Sequence, residues 1–325
     1  MQEKKMKKTQ DPEFRYRRSQ PKTPSQKKID KIKNKSLEQF NVGLSYFRFF
    51  GTIWGLKNIL PYVSIVLRKF FFVQYLQKMH LINFPVKHVD HALDEKVPFR
   101  TDKLPCYLDF ISYWIRPMSM ILKRYGFHEG MKLDCEYVNY ISYIYDEAYH
   151  MYSTTLTTTY RPKSSLASIK SLQFWDPHYL CVPSLHVAIV MLTIGFYRML
   201  FEREMFSPEE KDKWNKEIFD HGIEIIETVL YVKQHSVNCI PAAMYMMSRK
   251  CPELVDASLS HEVIDALFVN APDVEKTDGE KIRSHICAFY DKFMKESESE
   301  DDWITPIMNW LETYEPNTPS WANNN

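Results

Sequence analysis

The sequence predicts an all-α fold, and three observations carry that expectation. Glycine is scarce, with 8 residues in 325, so architectures that depend on glycine-rich phosphate loops or tight β-turns with φ > 0 have little to build on. No GxGxxG and no GKS or GKT occurs anywhere in the chain. Apolar and aromatic residues instead recur at helical spacing through long segments, several opened by helix-start signals. A hydrophobic content of 45% against 26% charged residues is ordinary for a globular chain, and this length buries one substantial core with a helical appendage.

The elements follow in order. Residues 1–35 hold thirteen Lys or Arg against four acidic residues, with Pro12, Pro21 and Pro24 among them. That composition predicts a basic, disordered tail. Apolar density rises from Leu37, predicting two helices separated near Pro61 and ending by Met79. A connector carrying Pro85, Pro98 and Pro105 follows. Helices are expected over about 106–125 and 134–156, the second with a ladder of tyrosines from Tyr137 to Tyr152 that reads as packing. A polar interval runs from Thr157 to Pro183, after which VPSLHVA opens an apolar helix ending near Phe201.

Ser207-Pro208-Glu209-Glu210 places Ser at N-cap, Pro at N1 and Glu at N3, a capping-box helix start. That helix is expected to run to about Lys233 with a break near Gly222. Thr277-Asp278-Gly279-Glu280 has the same spacing and predicts a further start. The domain reading is therefore a tail over 1–35, a helical core over 36–255 and a helical C-terminal extension over 256–325.

Cysteine usage and charge bound the setting. No two of the six cysteines stand in a CxxC spacing, which fits reduced, semi-buried thiols and a cytoplasmic location. No signal-peptide-like apolar region opens the sequence. The apolar run at Val187–Tyr197 is shorter than the about 20 residues that span a bilayer, and charges such as Lys57, Arg68 and Lys69 interrupt the other runs. A soluble chain is expected, with peripheral contact to an anionic membrane through the aromatic segment from Tyr46 to Tyr75. Nucleic acid is not an expected partner, because the basic tail lacks aromatic interleaving or a folded basic module. His88 and His91, three apart near Pro85, have no evident third ligand, so no metal is expected.

Three islands carry the chemistry: Tyr160-Arg161-Pro162-Lys163, then Val182-Pro183-Ser184-Leu185-His186, then Lys233-Gln234-His235. A guanidinium binds phosphate oxygens bidentately. One imidazole can attack phosphorus and a second can protonate the departing oxygen. Both tasks suit a side chain whose reference pKa is about 6.5.

At these residues the chain resembles the phosphatidic acid phosphatase type 2 and vanadium haloperoxidase superfamily. Arg161-Pro162 is similar to its first motif and Pro183-Ser184-Leu185-His186 to its second. Thr228–His235, with the lead-in Asp94–Phe99, resembles the branch related to inositol phosphorylceramide synthase. The resemblance spans about residues 90–245. It implies a helical bundle of that kind and an enzyme working through a phosphohistidine, without a cofactor. His235 would be the nucleophile, His186 the general acid and Arg161 the phosphate clamp, with Lys163, Ser184 and Lys233 as further phosphate contacts. The implied substrate is a phosphorylated small molecule, lipid or isoprenoid. The sequence departs from the pattern at Thr154, where the family has Lys, at Leu185, where many members have Gly, and at Val229, where it has Arg. It departs most at Cys239, four residues after His235, where the family has the Asp that orients the nucleophilic ring. That departure keeps a second expectation open, a non-catalytic relative that binds phosphate or a phospholipid headgroup.

Overall fold

The computed structural model describes residues 23–322. With 70% helix against 2% strand, the class is all-α as expected. Helix α1 spans Gln26–Asp30, α2 Gly43–Phe50 and α3 Ile53–Ile65; α3 continues through a π-helical segment, Val66–Phe71, into α4, Phe72–Lys78. After the strand β1 (Val86–His88) come α5 (Leu104–Tyr125) and α6 (Phe127–Tyr152), then β2 (Leu156–Thr158) and α7 (Ala167–Trp175). Next in the chain are α8 (Leu185–Arg203), α9 (Pro208–Tyr231) and α10 (Cys239–Lys250). The C-terminal part holds α11 (Ala257–Ala266), α12 (Lys276–Glu296) and α13 (Ile304–Thr313).

Helix α8 is the axis of the bundle, packed against α5, α6, α9 and α10. Its start follows from Ser184, whose hydroxyl accepts from the Val187 backbone N–H at the N-cap. Every residue from Val187 to Tyr197 is buried, which explains an apolar run with no polar face. Gly195 permits this packing: a Cβ there would lie 2.1 Å from the Leu254 carbonyl oxygen.

The capping box at Ser207 forms as the sequence predicts, with Glu210 N–H donating to Ser207 Oγ (3.3 Å) and Ser207 N–H to Glu210 Oε2 (3.1 Å). Glu210 also pairs with Arg124, both of them buried, and the Arg124 guanidinium lies 3.8 Å from the Phe206 ring centroid.

Several expectations are corrected. Residues 1–22 of the expected tail lie outside the described residues, but 23–35 are structured. Ile32 is buried, Lys28 Nζ donates to the Tyr125 carbonyl (3.2 Å) and Trp214 Nε1 to the Lys35 carbonyl (3.2 Å). The one apolar side chain able to reach the core outweighs the charge of its neighbours. Pro61 does not separate two helices: it sits inside α3 on the exposed side. Helix α9 runs unbroken through Gly222, where a Cβ would meet Tyr113 Oη at 2.8 Å and Val190 Cγ1 at 2.9 Å. That glycine admits close packing rather than ending the helix. No capping box forms at Thr277; α12 starts at Lys276 with Glu275 at N-cap, and Asp278 pairs with Lys281 and Lys96.

The connector contains β1 and two 3-10 turns, Ala92–Lys96 and Thr101–Lys103. Strands β1 and β2 pair in parallel with Val86 opposite Leu156 and His88 opposite Thr158. This short ladder lays the connector against the segment leading to Arg161. The C-terminal end returns to the same place: Tyr314 Oη and Asn317 N donate to the Asp90 carbonyl (2.7 and 3.0 Å), and Trp321 Nε1 to the Tyr160 carbonyl (2.9 Å).

Two helices are long and apolar enough to cross a membrane, Ile53–Lys78 and Leu185–Arg203, with mean hydropathy 1.4 and 1.5. The expectation that charges interrupt every candidate span is therefore corrected for the first, where the apolar stretch that reaches this level lies beyond Lys57 and holds only Arg68 and Lys69 as charges. The second is 78% buried and serves as the core helix; the first is only 17% buried.

Because Glu210 both closes the cap and neutralises Arg124, Glu210→Ala is expected to lower unfolding free energy by about 3–5 kcal/mol, the cost of leaving one buried charge unpaired. Urea denaturation of the variant against the parent measures it.

Candidate functional site

The site forms where three short segments meet: the end of the polar interval, the first turn of α8, and the loop between α9 and α10. His186 is in the first turn of α8, immediately after the N-cap Ser184 and Leu185. His235 lies in the loop that follows Tyr231. The two rings are in contact, with His235 Nε2 3.3 Å from His186 Nδ1 and ring centroids 5.4 Å apart. Ser184 Oγ stands 3.2 Å from the same His235 Nε2. Two motifs that are about 50 residues apart in the chain, as their numbers show, thus converge on one nitrogen.

Both histidines line a cavity of about 510 Å³, a size suited to a small organic ligand. The remaining wall is largely apolar: Tyr107, Phe110 and Ile111 from α5, Val66 and Phe70 from the π segment, and Trp175 from α7. Tyr107 and Phe110, three apart on α5, place their ring centroids 4.8 and 4.7 Å from the His186 ring.

A third histidine escaped the sequence reading. His178 lines the same cavity, is buried, and has its ring centroid 6.5 Å from that of His235. Its Nε2 lies 2.7 Å from Thr159 Oγ1, and its backbone sits at φ 67, a left-handed conformation that a non-glycine residue adopts only when its surroundings impose it. The only sequence signal was its position inside the polar interval, seven residues before Leu185.

Arg161 does not touch either imidazole of the pair. Its Nη1 donates to the Asp176 carbonyl (3.1 Å) and to Gln234 Oε1 (3.4 Å). These partners bracket the cavity, since Asp176 lines it and Gln234 precedes His235. The Arg161 charge also acts on Tyr107 and His178, which are cavity residues. Lys163 is exposed and lies outside the cavity wall.

Lys233 serves another purpose than the phosphate contact expected of it. It is buried at φ 55, and its ammonium donates to the carbonyls of Asp94 (2.6 Å) and Val97 (2.5 Å), with the Trp321 ring 4.8 Å away. Satisfying two carbonyls of the connector turns it away from the cavity. Of the six expected site residues, His186, His235 and Ser184 are brought together, Arg161 is behind the wall, and Lys163 and Lys233 are elsewhere.

Burial governs the electrostatics. It holds the His186 imidazole down at about 4 and His235 well below its ordinary value, the nearby His186 adding to the effect. His178 is depressed by burial first and by the Arg161 charge second. At neutral pH all three rings are therefore uncharged. Cys239 stands where the motif resemblance expects an orienting carboxylate. Cys239 Sγ accepts from the Ser236 N–H at 3.4 Å, and His235 Nδ1 is buried with no hydrogen-bond partner. Asn238 does not substitute, because its amide is engaged with the Val89 carbonyl, Tyr314 Oη and His285 Nε2.

No family model, no curated protein and no solved structure matches this chain. The site stands on its own geometry.

His88 and His91 are structural as well. His88 stacks on Tyr160 at 4.1 Å and lies 3.2 Å from Asp90, while His91 caps the 3-10 turn and stacks on His285. One trio of metal-type donors, His261, Cys287 and Asp291, has its ligand atoms within 4.8 Å of one another, and none of the three lines this cavity.

Because His186 titrates at about 4 when folded and at about 6.5 when unfolded, the unfolded chain binds the extra proton between those values. Stability contributed by the neutral ring is full above about pH 6.5 and is lost as pH falls towards 4. Comparing unfolding free energies of the parent and His186→Gln across this window should show the parent losing about 1–3 kcal/mol more than the variant.

Proposed function

We propose that this protein is a phosphoric-ester hydrolase or phosphotransferase working through a phosphohistidine on His235, with an ester whose organic part is apolar. The observation that carries the reading is the pair of neutral imidazoles 3.3 Å apart at the polar end of a largely apolar cavity. The motif resemblance supports it independently, since Arg161, His186 and His235 stand in the order that chemistry uses.

The steps follow from the atoms present. A neutral His235 with its proton on Nδ1 has a lone pair on Nε2, facing the cavity beside Ser184 and His186. That lone pair attacks phosphorus, a P–N bond forms, and the bond to the alcohol oxygen breaks. His186, protonated, gives its proton to that oxygen. Water then attacks phosphorus and gives its proton to His186, the P–N bond breaks with its electron pair returning to His235 Nε2, and inorganic phosphate leaves. Entry of a phosphate anion is what raises the His186 pKa from its empty-site value, since an adjacent negative charge favours the imidazolium. Arg161 sits close enough to add to this field, and a modest movement from the Asp176 carbonyl would turn its guanidinium to the phosphate oxygens.

A second reading is favoured by one specific observation, the unpartnered His235 Nδ1 with Cys239 in the carboxylate's place. Without a carboxylate the ring gains only what the Cys181 backbone offers as it becomes cationic, and the pocket would hold a phosphate ester without turning it over.

Release of phosphate from p-nitrophenyl phosphate separates the two. Turnover is expected in the parent, a loss of about 10²–10⁴-fold in His235→Ala, and no change beyond twofold in Lys163→Ala. Cys239→Asp is expected to raise turnover. No turnover in either the parent or Cys239→Asp, together with phosphate binding that disappears in Arg161→Ala, would establish the binding module instead.

A further inference from the structure

The helical arm formed by α2, α3, the π segment and α4 presents an apolar surface that none of the described residues covers. Ile53, Leu60, Leu67 and Phe71 are all exposed, Ile53 at 77%. Their spacings of seven, seven and four put them along one side of the arm. Tyr46, Phe47 and Phe50 extend this surface on α2, and Phe174 and Trp175, exposed at 62% and 65%, extend it on α7. The α7 residues are tied to the arm, since Tyr75 Oη donates to the Trp175 carbonyl (2.8 Å) and Lys78 Nζ lies 5.0 Å from the Phe174 ring. Contiguous apolar surface on this scale marks a docking face.

Charge identifies the occupant. Between Glu38 and Asp90 the chain has no acidic residue, yet it carries Arg48, Lys57, Arg68, Lys69, Lys78 and Lys87. Lys57, Arg68 and Lys78 are exposed beside the apolar stripe. Phe, Trp and Leu next to Lys and Arg on an otherwise uncovered helix fit the boundary between headgroups and acyl chains of an anionic bilayer leaflet. The arm lies against the bundle rather than standing away from it: α3 packs on α6, and Lys69 pairs with Asp146. It therefore offers one side outward, as a helix lying in an interface does.

The cavity opens on this same face. Phe71, Leu108, Ile111 and Trp175 belong both to its wall and to the exposed apolar residues, so they form its mouth. We infer that the arm from Tyr46 to Lys78 docks on an anionic lipid leaflet, with the cavity mouth placed against the acyl region. An apolar ester held in that leaflet then enters without crossing water, its phosphate reaching the histidine end. The docking stands on the surface alone; the entry step rests on the function proposed above.

Ile53, Leu60 and Leu67 are outside the cavity wall, so they can be changed without touching the site. The full chain is co-sedimented with phosphatidylcholine vesicles, with and without phosphatidylserine, and compared with Ile53→Ser/Leu60→Ser/Leu67→Ser and with Lys57→Glu/Arg68→Glu. Binding is expected to require phosphatidylserine and to weaken with salt. It is expected to fall at least tenfold in each variant, while turnover of p-nitrophenyl phosphate stays at the parent's level. Circular dichroism melting of the variants should match the parent, because the altered side chains are exposed. Equal vesicle binding by parent and variants, or none by the parent, would overturn the inference. A parent that is dimeric by sedimentation equilibrium, and monomeric once the serines are introduced, would overturn it in favour of a second copy covering the arm. Absence of turnover together with intact, variant-sensitive vesicle binding would end the proposed chemistry and leave the docking in place.

Discussion

The site depends on how a buried loop satisfies its backbone. Residues Val232 to Asn238 connect α9 to α10 with all seven residues buried, and a loop in that position must find partners for groups that neither helix can bond. The α9 carbonyls of Thr228, Val229 and Leu230 accept from the N–H groups of Val232 to His235, and Asp94 takes the Val237 N–H that lies beyond their reach. One carboxylate oxygen accepts from the Val237 N–H and the other from the His91 N–H, both at 2.8 Å. Lys233 returns the contact by donating to the carbonyls of Asp94 and Val97. The connector and the loop are thus stitched from both directions, and His235 lies between the stitches. Burial pushes the Asp94 carboxyl up to about 6 while the two N–H donors and the Lys233 charge oppose that shift. The carboxylate that anchors the loop remains ionised at neutral pH for that reason.

This anchoring shapes the electrostatics of the histidines. A loop fixed at Val237 and Lys233 cannot move His235 towards solvent, so the ring stays buried, neutral and against His186. Desolvation makes both imidazoles weak bases, the wrong sense for an acid catalyst: neither becomes an imidazolium until an anion arrives. An anionic ligand and the imidazolium it induces stabilise each other, which ties protonation of the site to occupancy. The apolar wall strengthens that coupling by keeping water and counter-ions away.

Much of the fold was legible because local and tertiary preferences agree. The start of α8 at Ser184, the capping box at Ser207 and the all-α class each rest on chemistry within a few residues, and the structure adopts them. The convergence of His186 and His235 was also legible, through motif order rather than geometry. What could not be read depends on the partners a residue meets from afar. Lys233 looks like a phosphate contact in a motif, yet two connector carbonyls some 140 positions earlier take its ammonium. Asn238 looks free to support His235, yet Val89, Tyr314 and His285 occupy it. His178 gave no signal beyond its place in the polar interval, since what puts it in the cavity is tertiary: a positive-φ backbone and the Thr159 hydroxyl. Ile32 shows the same limit within the basic N-terminal segment, where one buried side chain outweighs a charged neighbourhood. Gly222 looked like a break and is a point of close approach.

The thiol at Cys239 follows from the same constraint that positions His235. It begins α10 directly after the anchored loop, fully buried, and the charges of Asp94 and Asp90 act on it together with burial to push its thiol well up. A carboxylate in that position would enter a buried region that already holds Asp94 and Asp90, the first with its carboxyl raised to about 6. Like charges confined together in low dielectric compete for ionisation, so a carboxylate there would serve His235 at the expense of Asp94, whose carboxyl it would raise further. A neutral thiol avoids that conflict and leaves Asp94 charged for the loop. The chain therefore keeps the carboxylate that fixes where His235 is and lacks the one that would stabilise its charge. Any catalysis it performs draws that stabilisation from the Cys181 backbone, from the bound phosphate and from Arg161.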